Sequence, residues 1–113
     1  MKPLIHKGLT EDRWFSFSIF EQLGNVGSEF ERAAYAFERR DRDRFEKAFE
    51  RMLELLDLTI ADPKSRTHCR LRELLRLREE VCDVFHANEV YGTPIGVLKK
   101  YFLYFGIAAR ANR

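Results

Sequence analysis

The stretch WFSFSIFEQLGNVGSEFERAAYAF, residues 14–37, decides the fold. Its apolar residues recur every three or four positions, in the order Ile19, Leu23, Val26, Phe30, Ala33 and Phe37. This spacing is typical of a helix that buries one stripe along its whole length. Further apolar residues widen the stripe to an arc of roughly 200°, which indicates more than one packing partner. The sequence therefore predicts one continuous first helix from the N-cap Thr10 to about Arg39.

The composition is that of one globular helical domain. A chain of 113 residues, 45% hydrophobic and 34% charged, can bury a core without disulfides. The net charge of +2 only weakly favours an anionic partner. No apolar run reaches the ~18 residues of a membrane span, and residues 1–9 lack the apolar segment of a signal peptide. We therefore expect an N-terminal leader (1–9), one domain (10–113), a cytoplasmic location and no membrane partner.

Three more helices follow from capping and breaking signals. Asp41 is placed to cap a second helix, which ends at Asp62-Pro63 because a residue before proline is pushed out of the helical region. A third helix is predicted over about 68–87, and Thr93-Pro94 begins a fourth that runs to about Arg110. No strand-period segment and no internal repeat is identified. Four helices with short connections predict an all-α, antiparallel up-down-up-down four-helix bundle.

The wide apolar arc of the first helix and the aromatic density of the fourth predict a homo-oligomer. Two glycines near the centre of the first helix each cost ~1 kcal/mol relative to alanine. Close approach of another helix would offset that cost, and a local kink or a ligand-facing groove are the alternatives. The residues that we assign to an oligomer interface are Phe17, Phe20, Gly24, Gly27, Tyr101 and Tyr104. The aromatic residues among them also have an alternative place in the core.

Charge differs between the two ends of the predicted bundle. One end holds the turn between the first and second helices and the turn between the third and fourth. Its four arginines between residues 39 and 44 are nearly balanced in charge by Asp41, Asp43 and Glu89. The charged face between residues 46 and 51 is interpreted as solvated. The opposite end is net basic, and it predicts phosphate contacts with RNA or DNA from Lys64, Arg66, Arg70, Arg110 and Arg113. The alternative is that these charges only increase solubility.

Motifs for catalysis or metal binding are weak. Asp83-x-x-His86 is the one near match to a bundle di-metal motif, which requires two copies, so we predict no metal and no cofactor. Helical ribonucleases of the HEPN type have four to six residues between an Arg and a His, whereas seven residues separate Arg78 from His86. A HEPN-like RNA-cleaving toxin component is therefore kept only as an alternative. We assign no catalytic residue.

Two further side-chain environments can be predicted. Arg78 lies on the apolar face of the third helix, where it either extends along the bundle edge or pairs with a carboxylate, for which Glu29 is the best candidate. Cys69 and Cys82 are thirteen residues apart on one helix, about 20 Å by helix rise. That distance excludes a disulfide within the chain, and we expect two small buried thiols.

Several segments resemble a family of small uncharacterised prokaryotic proteins. They are LLDLTIADPK (55–64), KYF (100–102) with AAR (108–110), WFSF (14–17) and NVGSE (25–29). In helix layout the chain is also similar to the small four-helix bundles associated with ribosomal RNA and to the Avd accessory proteins of diversity-generating retroelements. The resemblance implies a bundle that self-associates and has an RNA or DNA partner. It implies no catalytic residue.

Overall fold

The computed structural model describes residues 10–86 and 90–111, and this part of the chain is all-helical. Its five α-helices are α1 (Glu11–Phe15), α2 (Ile19–Glu38), α3 (Arg42–Ala61), α4 (His68–His86) and α5 (Ile95–Ala111), with a 3₁₀ turn at Pro63–Ser65. The prediction of an all-α fold is confirmed. The predicted leader, the last residue of the predicted third helix and Arg113 lie outside the described residues.

The prediction of one continuous first helix is wrong, because the chain leaves the helical path between α1 and α2. Ser18 begins α2 with a capping box: its hydroxyl accepts the N–H of Glu21 at 3.1 Å, and its own N–H donates to the Glu21 carboxylate at 3.1 Å. Ser16 donates its hydroxyl to the carbonyl oxygen of Arg13 at 2.6 Å. These local bonds compete with the helical hydrogen bonds and give the backbone another conformation. The predicted cap at Thr10 is confirmed, and it starts α1.

Helices α2 and α3 pack side by side and run antiparallel. At one end of the pair the rings of Phe37 and Phe45 lie 5.6 Å apart. At the other end the Gln22 side-chain amide donates to Asp62 at 2.7 Å. Because early residues of α2 meet the end of α3 and late residues of α2 meet its start, the two helices run in opposite directions.

Helix α2 is the centre of the core, since α5 packs against it as well. Phe30 is fully buried, and its ring centroid lies 5.4 Å from that of Phe85 in α4 and 5.2 Å from that of Phe102 in α5. Lys99, near the start of α5, lies 3.4 Å from Glu38 at the end of α2. The α2–α5 pair is therefore also antiparallel.

The two glycines of α2 mark where α5 approaches most closely. A Cβ at Gly24 would lie 3.2 Å from the Cα of Gly106. A Cβ at Gly27 would lie only 2.5 Å from the Cβ of Phe102, a distance that real side chains do not adopt. The predicted close approach of another helix is thus confirmed, and the neighbour is α5 of the same chain.

A tight turn joins α2 to α3. Arg40 has φ of 57°, a left-handed conformation that glycine usually occupies after a helix. Asp41 donates its N–H to the carbonyl oxygen of Ala36 at 2.9 Å, and Arg40 donates to Phe37 at 3.2 Å. This pair of bonds is the Schellman motif. The Asp41 carboxylate then accepts the N–H of Arg44, so the predicted N-cap is confirmed.

A buried polar cluster fixes α1 to the end of α3. Trp14 is 2% exposed, and its indole N–H donates to the Thr59 hydroxyl at 3.2 Å. Gln22 donates its amide to the carbonyl oxygen of Trp14 at 2.9 Å and to the carboxylate of Asp62. The ammonium of Lys64 also bonds to Asp62, which is 2% exposed. The cluster therefore holds the segment between α1 and α2 on the body of the molecule.

This cluster predicts a pH-dependent stability. Burial raises the pKa of Asp62, but hydrogen bonds from Lys64 and Gln22 outweigh it and hold the pKa below its usual value. The stability that Asp62 adds is therefore present above the unfolded-state pKa of about 3.9 and is lost as the pH falls through the lower folded-state value. We expect Asp62→Asn to cost about 1–3 kcal/mol at neutral pH and less in acid. Urea denaturation between about pH 2 and pH 7 measures this, with the exposed Asp12→Asn as control. If the free energy of unfolding of the native chain and that of Asp62→Asn changed with pH in parallel, the prediction would be contradicted.

The cysteine environments match the sequence prediction only in part. Both thiols are free, as predicted. Cys82 is half-buried, but Cys69 is exposed, so the prediction of two buried thiols is wrong. On the α4 helical wheel Cys69 lies roughly 80° from Leu77 and roughly 140° from Leu74, outside the stripe that these two buried residues form.

Candidate functional site

One face of α5 presents apolar side chains to solvent. Four large residues on it are more than half exposed: Val97 (54%), Leu103 (56%), Tyr104 (63%) and Ile107 (53%). We call these four residues the α5 face. The other side of α5 buries Leu98 and Phe102 in the core. Exposed apolar patches of this kind mark interaction surfaces.

The residues predicted for an oligomer interface fall into two groups. Phe17 and Phe20 are half-buried and Tyr104 is exposed, so these three remain accessible. The Phe20 ring lies 6.0 Å from Phe105, and Phe105 lies 5.4 Å from Tyr104, so the α5 face continues toward the start of α2.

The other three residues predicted for the interface, Gly24, Gly27 and Tyr101, make contacts within the chain. Gly24 and Gly27 face α5, and Gly27 is buried beneath Phe102. The Tyr101 hydroxyl donates to Glu73 at 2.6 Å. Burial and this hydrogen bond raise the pKa of Tyr101. We therefore do not retain these three residues in the surface that we propose below.

The predicted basic end is only partly available to a ligand. The Lys64 ammonium donates to the carbonyl oxygen of Phe15 at 2.8 Å and bonds to Asp62, so it belongs to the buried polar cluster. Arg66 and Arg110 are exposed, and Arg70 is half-buried. The remaining member of the predicted set, Arg113, lies outside the described residues.

A second basic surface, which the sequence analysis missed, lies between α2 and α3. It is an open groove of about 280 Å³. Its walls carry five basic residues, one acidic residue and one aromatic residue: Arg32, Arg39, Arg44, Lys47, Arg51, Asp41 and Tyr35. Ala36 and Ala48, both buried, also line it. We call this the α2–α3 groove.

Three of the five basic side chains in the groove have carboxylate partners on their own helix. Arg32 donates to Glu29 at 2.7 Å, and Lys47 lies 3.2 Å from Asp43. Arg44 lies 3.5 Å from its N-cap, Asp41. Arg44 and Lys47 pair with exposed carboxylates, and exposed pairs contribute at most about 1 kcal/mol each. The Glu29 side chain is only 8% exposed, so the Arg32–Glu29 pair is partly buried.

The other two arginines of the groove have no carboxylate partner among residues 10–86 and 90–111. The Arg39 guanidinium lies 3.8 Å above the centre of the Tyr35 ring, which is a cation–π contact. Arg51 is half-buried on the α3 wall. The groove therefore has a net positive charge.

A short repeat in the sequence underlies the α2–α3 groove. RAAYAFER (32–39) on α2 and RFEKAFER (44–51) on α3 share their first residue, their alanine and the final Phe-Glu-Arg. The sequence analysis did not identify this eight-residue similarity. The face between residues 46 and 51 is solvated as interpreted, since Glu46, Lys47 and Glu50 are exposed. Two of its residues, Lys47 and Arg51, also line the groove.

Arg78 and His86, the pair considered for RNA cleavage, make structural contacts. Arg78 donates to Asp57 through two nitrogens, at 2.7 and 3.4 Å, so the predicted partner Glu29 is wrong. The Nδ1–H of His86 donates to the carbonyl oxygen of Cys82. Burial raises the pKa of the Cys82 thiol, which favours the neutral form over a nucleophilic thiolate.

The Asp83-x-x-His86 near match also has a structural explanation. The Asp83 carboxylate accepts the N–H groups of Val90 at 3.2 Å and Tyr91 at 3.1 Å, and so it anchors the chain on its way to α5. In the described part of the chain, no three His, Cys, Asp or Glu side chains are grouped so that they could hold a metal ion.

Comparison with known protein families, with curated proteins and with solved structures found no match to this chain. No described helix is both long enough and apolar enough to span a bilayer.

Proposed function

We propose that this protein is a non-catalytic helical assembly module, a four-helix bundle of α2–α5 that self-associates through the α5 face. The observation that carries the proposal is the set of four large apolar side chains, each more than half exposed, along this one helix. A two-fold interface pairs the same patch on both copies, so one such face is sufficient for a dimer.

The structure changes the reason for expecting assembly. The sequence argument relied on surplus apolar surface of α2, but α3 and α5 cover most of that surface within one chain. Of the large apolar side chains of α2, Tyr35 and Phe37 are the exposed ones, at 56% and 44%. The uncovered apolar surface is instead concentrated on α5.

The size of a stable interface indicates that the contact extends beyond α5. Specific dimers bury about 800 Å² on each partner, which is more than four partly exposed side chains supply. Phe17 and Phe20 are half-buried, and Phe20 adjoins the α5 face through Phe105. We place these two residues at the edge of the interface.

Analytical ultracentrifugation tests the proposal. We expect the native chain to be a dimer or larger at micromolar concentration, and Leu103→Glu/Ile107→Glu to weaken association at least about 100-fold, because it buries two unpaired charges. The matched control Leu75→Glu/Val90→Glu adds the same two charges at exposed apolar positions off α5, and it should leave association unchanged. A native chain that sediments only as a monomer would contradict the proposal, and so would equal weakening by both pairs.

A further inference from the structure

We infer that the α2–α3 groove binds single-stranded nucleic acid by contacting two or three consecutive phosphates. This inference goes beyond self-association and uses a different surface, since α2 and α3 line the groove and α5 does not. It rests on charge, size and one aromatic side chain.

The charge argument comes from the placement of four arginines. Because α2 and α3 are antiparallel and meet at a tight turn, residues of the two repeats face each other across the groove. Arg32 lies at the height of Arg51, and Arg39 lies at the height of Arg44. In each opposed pair one arginine already has a carboxylate partner, Glu29 for Arg32 and Asp41 for Arg44. The other arginine, Arg39 or Arg51, has no carboxylate partner among the described residues and can give a bound phosphate charge-assisted hydrogen bonds. Asp41, the acidic residue of the groove wall, lies at its turn end.

The length of the groove sets how many phosphates it can contact. The first and last arginine on each helix are seven positions apart, which is about 10 Å of helix length. At ~3.4 Å per stacked nucleotide this distance spans two or three phosphates. The groove, about 280 Å³ in volume, includes the exposed Tyr35 ring in its wall, and a basic groove with an aromatic stacking ring is the usual site for a single strand.

The aromatic side chain favours a nucleic acid over a simple polyphosphate. Tyr35 is 56% exposed and lies on the groove wall, with Arg39 over one face of its ring. Aromatic rings beside a basic groove are the usual stacking surface for unpaired bases. A simple polyphosphate has no base to stack on Tyr35.

Fluorescence anisotropy with a labelled mixed-sequence oligonucleotide, as DNA and as RNA, tests the inference. We expect Arg39→Glu/Arg51→Glu to raise the Kd for the single strand at least about tenfold. It should also reduce the slope of log Kd against log salt concentration by about 1.4, because each phosphate contact of a single strand contributes about 0.7. The control Arg66→Glu/Arg110→Glu removes two arginines of the predicted basic end and changes the net charge equally. It should change the Kd by less than about threefold.

Two further comparisons identify the ligand. We expect the duplex of the same sequence to bind at least about tenfold more weakly than the single strand. Tyr35→Leu should raise the Kd for the oligonucleotide about fivefold or more but leave the inhibition constant of inorganic triphosphate unchanged. The inference would be overturned if the native chain bound no oligonucleotide, or if the two double variants raised the Kd equally. It would also be overturned if the duplex bound more tightly than the single strand, or if triphosphate bound as tightly as the oligonucleotide.

Circular dichroism shows whether each variant folds. If Arg39→Glu/Arg51→Glu does not fold, Arg44→Gln/Lys47→Gln replaces it, because those side chains are 80% and 63% exposed. Its matched control is Arg66→Gln/Arg110→Gln. A Kd that changes as much in this control as in the groove variant would overturn the inference.

Discussion

Trp14→Ala is expected to lower the free energy of unfolding by about 3–5 kcal/mol, the range for a large buried aromatic residue. Trp14 is 2% exposed, and its indole N–H bonds to the buried Thr59 hydroxyl. Its carbonyl oxygen accepts from Gln22, which in turn bonds to Asp62. Removing the indole therefore leaves a cavity and withdraws one donor from the cluster that holds α1.

Urea denaturation followed by circular dichroism measures this loss. The control Trp14→Phe keeps most of the volume and removes the N–H, so we expect a smaller cost of about 1–2 kcal/mol. If Trp14→Ala lost less than about 1 kcal/mol, the segment before α2 would contribute little to stability in solution. That result would contradict the packing described for α1.

Gly27→Ala is expected to destabilise the protein by about 1–3 kcal/mol, the cost of overpacking a core. Helix propensity alone predicts the opposite, a gain of ~1 kcal/mol, because alanine favours helix over glycine. The new Cβ would lie 2.5 Å from the Cβ of Phe102. Phe102 is 2% exposed and in ring contact with Phe30, so α5 must shift to make room.

Gly96→Ala is the matched control, because a Cβ there meets no atom within 4 Å. We expect that variant to be neutral or to gain up to ~1 kcal/mol. Thermal denaturation of both variants beside the native chain gives the comparison. An equal gain in the two variants would show that α5 does not approach α2 as closely in solution as the structure indicates.

Local signals predicted the helices and most of their ends. Thr10 and Asp41 cap the helices that they were expected to cap, and α3 stops just before Asp62-Pro63. These signals act over one helical turn, so the sequence alone reveals them. The break before Ser18 has such a signal too, since Ser18 and Glu21 form a capping box. The apolar periodicity of the sequence continues through this break, so periodicity alone predicts one uninterrupted helix.

Contacts between helices were harder to predict, because periodicity gives the buried face of a helix but not its height against a neighbour. Pairing with a carboxylate was one of two alternatives for Arg78, and the partner is Asp57 on α3 and not Glu29 on α2. Glu29 instead pairs with Arg32, three residues along its own helix. The choice depends on the register of α3 and α4.

The α2–α3 groove escaped the sequence analysis for a related reason. Considered one helix at a time, Lys47 and Arg51 are two like charges one turn apart on a solvated surface. They become part of a groove only because the turn at Arg40 folds α3 back along α2 and brings the second repeat opposite the first. Comparing 32–39 with 44–51 would have revealed the pattern from the sequence.

The fluorescence of Trp14 reports on the packing of the amino-terminal segment. It is the single tryptophan of the chain, and its indole, which α1 carries, is buried and bonded to Thr59 near the end of α3. Its emission therefore responds to detachment of this short segment, even while the longer helices stay folded. Because the indole sits at the end of α3 opposite the repeat, intrinsic fluorescence separates loosening of the amino-terminal segment from ligand contact at the groove.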